Sequence, residues 1–366
     1  MKKTILTLLQ IAVTLGILFW IFHDQTKREQ MWSSVRHARL GWIFTGLIAY
    51  GIVEIIAAIR WQILLRVQGV SVSSPRICGL FMIGIFFNQF MPGGTGGDVV
   101  KIFYLLKETP GKKAQALLAT LIDRVIGLLG LIFVAGALIV WRWDWLTQGK
   151  PLPHFEVSWL LSFPALKTWL GQIPDTTKLL YVLLVILGAS VAGIATSFAI
   201  TGLGLVHKLP ARMPKRDIFV DLAIAYNAYA RAWSSSLAAL ACSFGVHIAS
   251  FFVFFAAARS LGAGVTFWDL ASVMPIINTI SSLPISVGGT GPREGLFQTL
   301  LNELCGINQG LSVAISLTGF VLILFWGLVG GAIYLFYRPS EHVKISEAER
   351  TVEALEHEIA EKKAED

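Results

Sequence analysis

Charge is scarce in this sequence. Of 366 residues only 14% are Asp, Glu, Lys or Arg, against 55% hydrophobic, and mean hydropathy is +0.66. A water-soluble domain carries roughly 25% charged residues, so the balance excludes a soluble enzyme and a disordered chain. Cysteine is nearly absent too. Cys78, Cys242 and Cys305 lie in or beside apolar stretches and form no CxxC pair, so they read as small buried hydrophobes, with no disulfide framework and no cysteine metal site. Nucleotide signatures are missing: no Gly-x-x-x-x-Gly-Lys-Ser/Thr occurs, and no Gly-x-Gly-x-x-Gly follows a strand. There is no Ser/His/Asp set with supporting context, no His-x-x-x-His and no paired-carboxylate pattern, so the expectation is no cofactor, no metal and no catalytic residue. Nucleic acid is not an expected partner.

What the chain does have is long apolar runs, each able to cross a hydrocarbon layer of about 30 Å. The expected fold class is an all-α polytopic membrane protein of six to eight transmembrane helices. Met1–Phe22 opens like a signal peptide with Lys2 and Lys3, but its run ends in Leu18-Phe19-Trp20-Ile21-Phe22, too bulky for cleavage; it reads as a retained span. Further spans are expected at 41–59, 117–141, 179–201, 234–258 and 311–337. Two apolar segments, 77–91 and 270–287, do not fit a simple crossing. The first runs into Pro92-Gly93-Gly94-Thr95-Gly96-Gly97. The second is broken by Pro275 and Pro284 and runs into Gly288-Gly289-Thr290-Gly291-Pro292. Such interruptions at membrane depth are tolerated where backbone is buried in protein or lines a cavity, so both segments are expected to be re-entrant or broken helices.

Charge is also unevenly placed. Residues 338–366 hold five basic and nine acidic residues, leaving 25 basic against 14 acidic in residues 1–337. With both irregular segments re-entrant, an inside amino terminus puts 19 Lys/Arg on the cytoplasmic side and 10 outside. The positive-inside rule therefore favours two cytoplasmic termini. Segment 142–178, rich in Trp and Pro, reads as an external connection, and the tail as a charged cytoplasmic helix open to a partner or to a second copy.

The two glycine motifs superpose without a gap at an offset of 195 residues, and the same offset carries the span at 41–59 onto 236–254 and that at 117–141 onto 312–336. The expected domains are thus a first transmembrane repeat (1–141), the external connection (142–178), a second repeat (179–337) and the tail (338–366). An odd number of crossings per repeat inverts the second copy relative to the first, an architecture shared by many alternating-access transporters.

After each motif a helix is expected to start, with Gly291 at its cap, Pro292 at N1 and Glu294 at N3 in the second copy, and Asp98 in the opening turn of the first. Free N–H groups at a helix start bind anions, and Lys101 and Arg293 stand beside the loops. Candidate substrate-binding residues are therefore Asn88, Gly93, Gly94, Thr95, Gly96, Lys101, Gly288, Gly289, Thr290, Gly291 and Arg293. The alternative is that the glycines only permit tight helix contacts, and that Asn88 and Asn278 only satisfy freed backbone groups. Ionisable residues within spans add candidates for ion pairs that change during transport: Glu54, Arg60, Asp98, Asp123, Arg124 and Glu294. Asp123 and Arg124 are adjacent and point to different helix faces, so each is expected to find its partner elsewhere. Arg60 beside Trp61 also fits an interfacial, snorkelling pair, and His247 a histidine hydrogen-bonded within a bundle.

Residues 88–101, Asp123-Arg124 and 283–294, with Arg60-Trp61, resemble the pattern of the lysylphosphatidylglycerol synthase transmembrane (flippase-like) family. The resemblance implies a multi-pass protein of a bacterial or archaeal inner membrane. It would be related to the lipid-flipping half of the bifunctional lysyl-lipid synthase/flippase, without its soluble aminoacyl-transferase domain. Lys101 stands where the family pattern favours Arg, keeping the charge and losing bidentate phosphate geometry. The function expected is translocation of an anionic or aminoacylated phospholipid, or a related lipid-phosphate, with membrane lipids as partners. The alternatives are an intramembrane enzyme or accessory subunit of glycolipid assembly, and an ion or small-solute transporter.

Overall fold

A computed structural model describes residues 23–90, 96–109, 112–147, 227–281 and 289–336, with isolated positions between 16 and 19 and between 185 and 196. The spans expected at 1–22 and 179–201, most of the 142–178 connection and the tail lie outside the described residues. So do Gly93, Gly94, Thr95 and Gly288.

Among the described residues the chain is all helix. The helices are α1 (Gln25–Arg36), α2 (Leu40–Val67), α3 (Ser74–Phe90), α4 (Gly96–Glu108), α5 (Lys113–Trp141), α6 (Trp143–Thr147), α7 (Trp233–Ser260), α8 (Phe267–Ser281), α9 (Pro292–Cys305) and α10 (Gln309–Phe336). Four of them, α2, α5, α7 and α10, are long and apolar enough to cross a membrane. At 1.5 Å per residue a 28-residue helix is about 42 Å long, more than the hydrocarbon core demands. On α2 the residues Leu40, Phe44, Ile48, Ile52, Ile55 and Ile59 form one exposed apolar stripe. In water such a stripe would drive aggregation; in a bilayer it is a lipid-facing surface.

These helices outrun the apolar stretches. α2 continues past Ile59 through Arg60 and Arg66, and α5 starts at Lys113 rather than 117. A hydropathy reading stops at the first charge, but α2 continues through Arg60 because that charge finds Asp123 inside the protein. Pro275 does not break its segment either. It sits inside α8, which runs on to Ser281. The proline removes one backbone donor, yet eight consecutive residues from Leu270 to Ile277 are buried, and packing on every face holds the helix through it.

Contacts divide the chain into two compact units. One comprises Met1–Leu47, Leu131–Val191 and Ser250–Val321; the other comprises Ile48–Gly130, Ala192–Ala249 and Leu322–Asp366. The first contains α1, α6, α8 and α9, and the second contains α3 and α4; each long helix contributes residues to both.

In the second unit α3 and α4 pack on each other around a core of Trp61, Leu65, Ile77, Leu80, Ile83, Phe87 and Leu105. The pair closes at Gly97. A Cβ there would lie 1.8 Å from the Gly84 carbonyl oxygen, so only glycine allows this approach. In the first unit the Arg39 N–H donates to the Ser260 carbonyl at 2.8 Å, tying the start of α2 to the end of α7. Phe254 stacks on Phe297 with centroids 5.2 Å apart, and Trp141 meets Trp268 edge-on at 4.9 Å. Arg142 pairs with Asp269 and lies over the Trp145 ring, 4.7 Å from its centroid.

A candidate functional site lined by charged side chains

The second unit contains a cavity of about 260 Å³, walled by α2, α3, α4, α5 and one residue of α7. Its lining brings together seven residues that the sequence singles out separately: Glu54, Arg60, Asn88, Asp98, Lys101, Asp123 and Arg124. All seven precede residue 130 and lie within the second unit.

Arg60 is turned inward and does not snorkel. Its Nε donates to Asp123 Oδ1 at 2.7 Å and its Nη2 to Oδ2 at 3.2 Å, a bidentate pair, while Nη1 donates to Ser243 Oγ at 3.0 Å. Both side chains are almost fully buried. Neighbouring residues on a helix point about 100° apart, and Arg124 accordingly leaves Asp123 to pair with Asp98. Asp98 also holds Lys101, whose Nζ lies 3.4 Å from its Oδ1. One carboxylate thus serves two cations, Lys101 buried and Arg124 half-exposed.

Lys101 sits between two aromatic faces, 4.4 Å from the Trp61 centroid and 4.6 Å from that of Phe81. Ring quadrupoles attract a cation, so a lysine can lie dry there without a dedicated counter-ion. Trp61 is fixed in turn by its Nε1–H, which donates to Thr120 Oγ1 at 3.1 Å. Glu54 is buried in the middle of α2, faces Tyr50 one turn earlier, and makes no ion pair. Asn88 does both things the sequence left open: it lines the cavity, and its Oδ1 accepts from the Gly97 N–H at 2.9 Å, satisfying an orphan donor at the start of α4.

Tyr50, Phe81, Thr120 and Ser243 are participants that sequence reasoning does not single out, and Trp61 is noted there only as the neighbour of Arg60. Tyr50 alone leaves a signal, its i, i+4 spacing from Glu54. His247 lies against the Gly127 carbonyl at 2.9 Å, a bundle histidine outside the cavity lining.

The second glycine motif belongs to the first unit. There Gly291, at φ 98°, caps α9, with Pro292 at N1 and the Glu294 carboxylate accepting from the Gly291 N–H at 2.6 Å. Glu294 is fully buried. Arg293 folds back onto it through Nη2 at 2.6 Å and Nε at 3.0 Å, also meets Ser316 Oγ, and lies over the Phe320 ring at 4.3 Å. Its charge is therefore already compensated. Gly289 and Thr290 precede this cap, Gly289 with φ 73°. Asn278 is half-buried on α8. A helix starts after each motif, α4 and α9, and the chemistry beside them differs: α4 brings Asp98 and Lys101 to the cavity lining, whereas α9 opens on its own Arg293–Glu294 pair.

Chemically, the cavity presents a caged ammonium, Lys101, and an exposed guanidinium, Arg124, that share one carboxylate. Among the described residues no cluster of His, Cys, Asp and Glu is arranged to hold a metal ion.

Comparison with known proteins agrees with the motifs. The family model described as the lysylphosphatidylglycerol synthase transmembrane region matches residues 7–331. A UPF0104 membrane protein of Pyrococcus horikoshii is 28% identical over 134 residues, covering 36% of this chain and 38% of the relative. One from Methanocaldococcus jannaschii is 25% identical over 167 residues, 44% and 46% of the two chains. A third, from Methanothermobacter thermautotrophicus, is 30% identical over 96 residues, 25% and 27%. The chain spans less than half the length of each of these relatives. No solved structure matches it.

Proposed function

We propose that this chain, which belongs to the lysylphosphatidylglycerol synthase transmembrane family, is a lipid translocase of a bacterial or archaeal cell membrane. Its cargo is an anionic or aminoacylated phospholipid or a related lipid-phosphate. The head group enters the charged cavity while the acyl chains stay in the bilayer, so only the polar part needs a protein-lined path.

One observation carries the reading: buried Lys101, with Arg60 and Arg124, lines a cavity within a bundle of apolar, membrane-length helices. Ionisable groups at such depth are expensive and are retained for a pathway or a ligand. Lys101 and Arg124 are the two cations a phosphate can engage, because both share Asp98 and neither is held bidentately. Arg60, locked on Asp123, shapes the wall. In this reading α3–α4 and α8–α9 are re-entrant elements of two inverted repeats, 1–141 and 179–337, which alternately admit the head group from the two faces, with both termini cytoplasmic. Arg293 and Glu294 form the counterpart gate, exchanging partners as it opens. A gradient or downstream consumption drives net movement, and the tail offers a contact for a partner or a second copy.

The test is reconstitution in liposomes with head-group-labelled phosphatidylglycerol or its lysyl ester, read by accessibility of the label to a membrane-impermeant quencher. Wild type is expected to move label at least about tenfold faster than Lys101→Met or Arg124→Gln, since each removes a charge-assisted contact worth about 1.5–3 kcal/mol. Movement equal to protein-free liposomes would end the proposal. Ion flux indifferent to the lipid head group would replace it with solute transport.

A further inference from the structure

The charges around the cavity do not balance in the way a simple anion receptor requires. Arg60 and Asp123 cancel, and Ser243 from α7 fixes the guanidinium. Lys101 and Arg124 share the single carboxylate of Asp98. One positive charge is left over. The remaining ionisable group on the lining is Glu54, fifteenth of the 28 residues of α2 and 7% exposed. Among the described residues it is the one lining carboxylate with no ion pair within 4.0 Å; Asp98 and Asp123 are both paired.

The polar groups that share the lining with Glu54 are few. Its own helix supplies Tyr50 and Arg60, α4 supplies Lys101 and Asp98, and α5 supplies Asp123 and Arg124. From α3 come the neutral amides of Asn88 and Gln89, and from α7 the apolar Val246. Lys101 shares the cavity lining with Glu54 without an ion pair between them. With no anion bound, an ionised Glu54 therefore completes neutrality. Once a monoanion sits between Lys101 and Arg124, the same ionised Glu54 would leave the cavity at net −1, buried beside a second negative charge and without a cation of its own. Buried unpaired charge is avoided by taking a proton.

We propose that the cavity takes up one phosphodiester monoanion together with one proton, and that Glu54 carries the proton. The inference rests on the head-group reading above and adds its coupling. The proton comes from water on the side from which the anion enters, converts the Glu54 carboxylate to the acid, and leaves with the anion when the opposite side opens. Transport of a singly charged head group then moves no net charge.

Sign follows from linkage. Binding that consumes a proton weakens as pH rises, approaching about tenfold per pH unit where free Glu54 is ionised, and levels off at acidic pH. The full-length protein in dodecylmaltoside, free of added phospholipid, is titrated with glycerophosphoglycerol, a water-soluble phosphodiester, by calorimetry between about pH 5.5 and about pH 8.5. Proton uptake is read in parallel with an indicator dye in weak buffer. Wild type is expected to take up close to one proton per probe bound. Glu54→Gln, of the same shape, is expected to bind with the affinity wild type reaches at acidic pH, with no uptake and no pH dependence. Glu54→Asp is expected to retain uptake, which separates proton carriage from packing. Wild-type binding without proton uptake, or an unchanged pH slope in Glu54→Gln, overturns the role of Glu54 and leaves the head-group reading standing. No binding by wild type at any pH overturns both.

Discussion

Asp123→Ala should be among the most damaging single substitutions in the chain, and the reason can be worked from distances. The change deletes both carboxylate contacts to Arg60, at 2.7 and 3.2 Å, and leaves the guanidinium with Ser243 alone at 3.0 Å. Side-chain exposure is 9% for Arg60 and 3% for Asp123, so water cannot replace the lost partner. Removing one member of a buried pair costs about 3–5 kcal/mol, chiefly because the surviving charge is stranded. Replacing both members with apolar residues removes that stranded charge. The double variant Asp123→Ala, Arg60→Met should therefore regain most of the loss, with a coupling of roughly 2–3 kcal/mol between the sites. Reversible unfolding in mixed detergent–SDS micelles puts wild type, Asp123→Ala, Arg60→Met and the double variant on one scale. A single variant costing less than about 1 kcal/mol, or a double variant as unstable as the sum of the singles, would refute the claim that this pair is dry and mutually dependent.

Other substitutions test other joints. Gly97→Ala would put a methyl 1.8 Å from the Gly84 carbonyl and 2.6 Å from Asn88 Cγ, so α3 and α4 must separate; a loss of about 1–3 kcal/mol and loss of probe binding are expected, and a neutral result in calorimetry and thermal unfolding would contradict the close approach. Glu294→Gln keeps the volume but removes the charge that meets Arg293 and the Gly291 N–H at 2.6 Å each; about 2–3 kcal/mol of destabilisation is expected from the charged hydrogen bonds, measured by the same micelle unfolding, with wild-type stability as the contrary outcome.

Legibility in the sequence followed the range of the interactions. The four long helices were readable because a bilayer imposes length and apolarity on contiguous residues. The cap of α9 was readable because Gly291, Pro292 and Glu294 act within four residues. That Asp123 and Arg124 would part company followed from helix geometry alone. Their partners did not, since Arg60 lies 63 positions from Asp123 and Asp98 lies 26 from Arg124. The aromatic cage of Lys101 was hidden for the same reason: Trp61 and Phe81 look like ordinary apolar residues until folding places them on either side of an ammonium. Pro275 misled in the other direction, since a local rule for helix breaking was overridden by burial around it. The two glycine motifs look alike in sequence, yet the cations beside them have different neighbours: Lys101 lies on the cavity lining with Asp98, and Arg293 lies on Glu294.

The central claim is that the cavity around Lys101 holds a lipid head group. Native mass spectrometry of protein released from membranes in mild detergent reads this directly, as retained mass per chain. Wild type is predicted to keep phosphodiester lipids that Lys101→Met loses, while Arg142→Gln, whose charge belongs to the Asp269 pair in the other unit, keeps them. Equal retention by wild type and Lys101→Met would contradict the account.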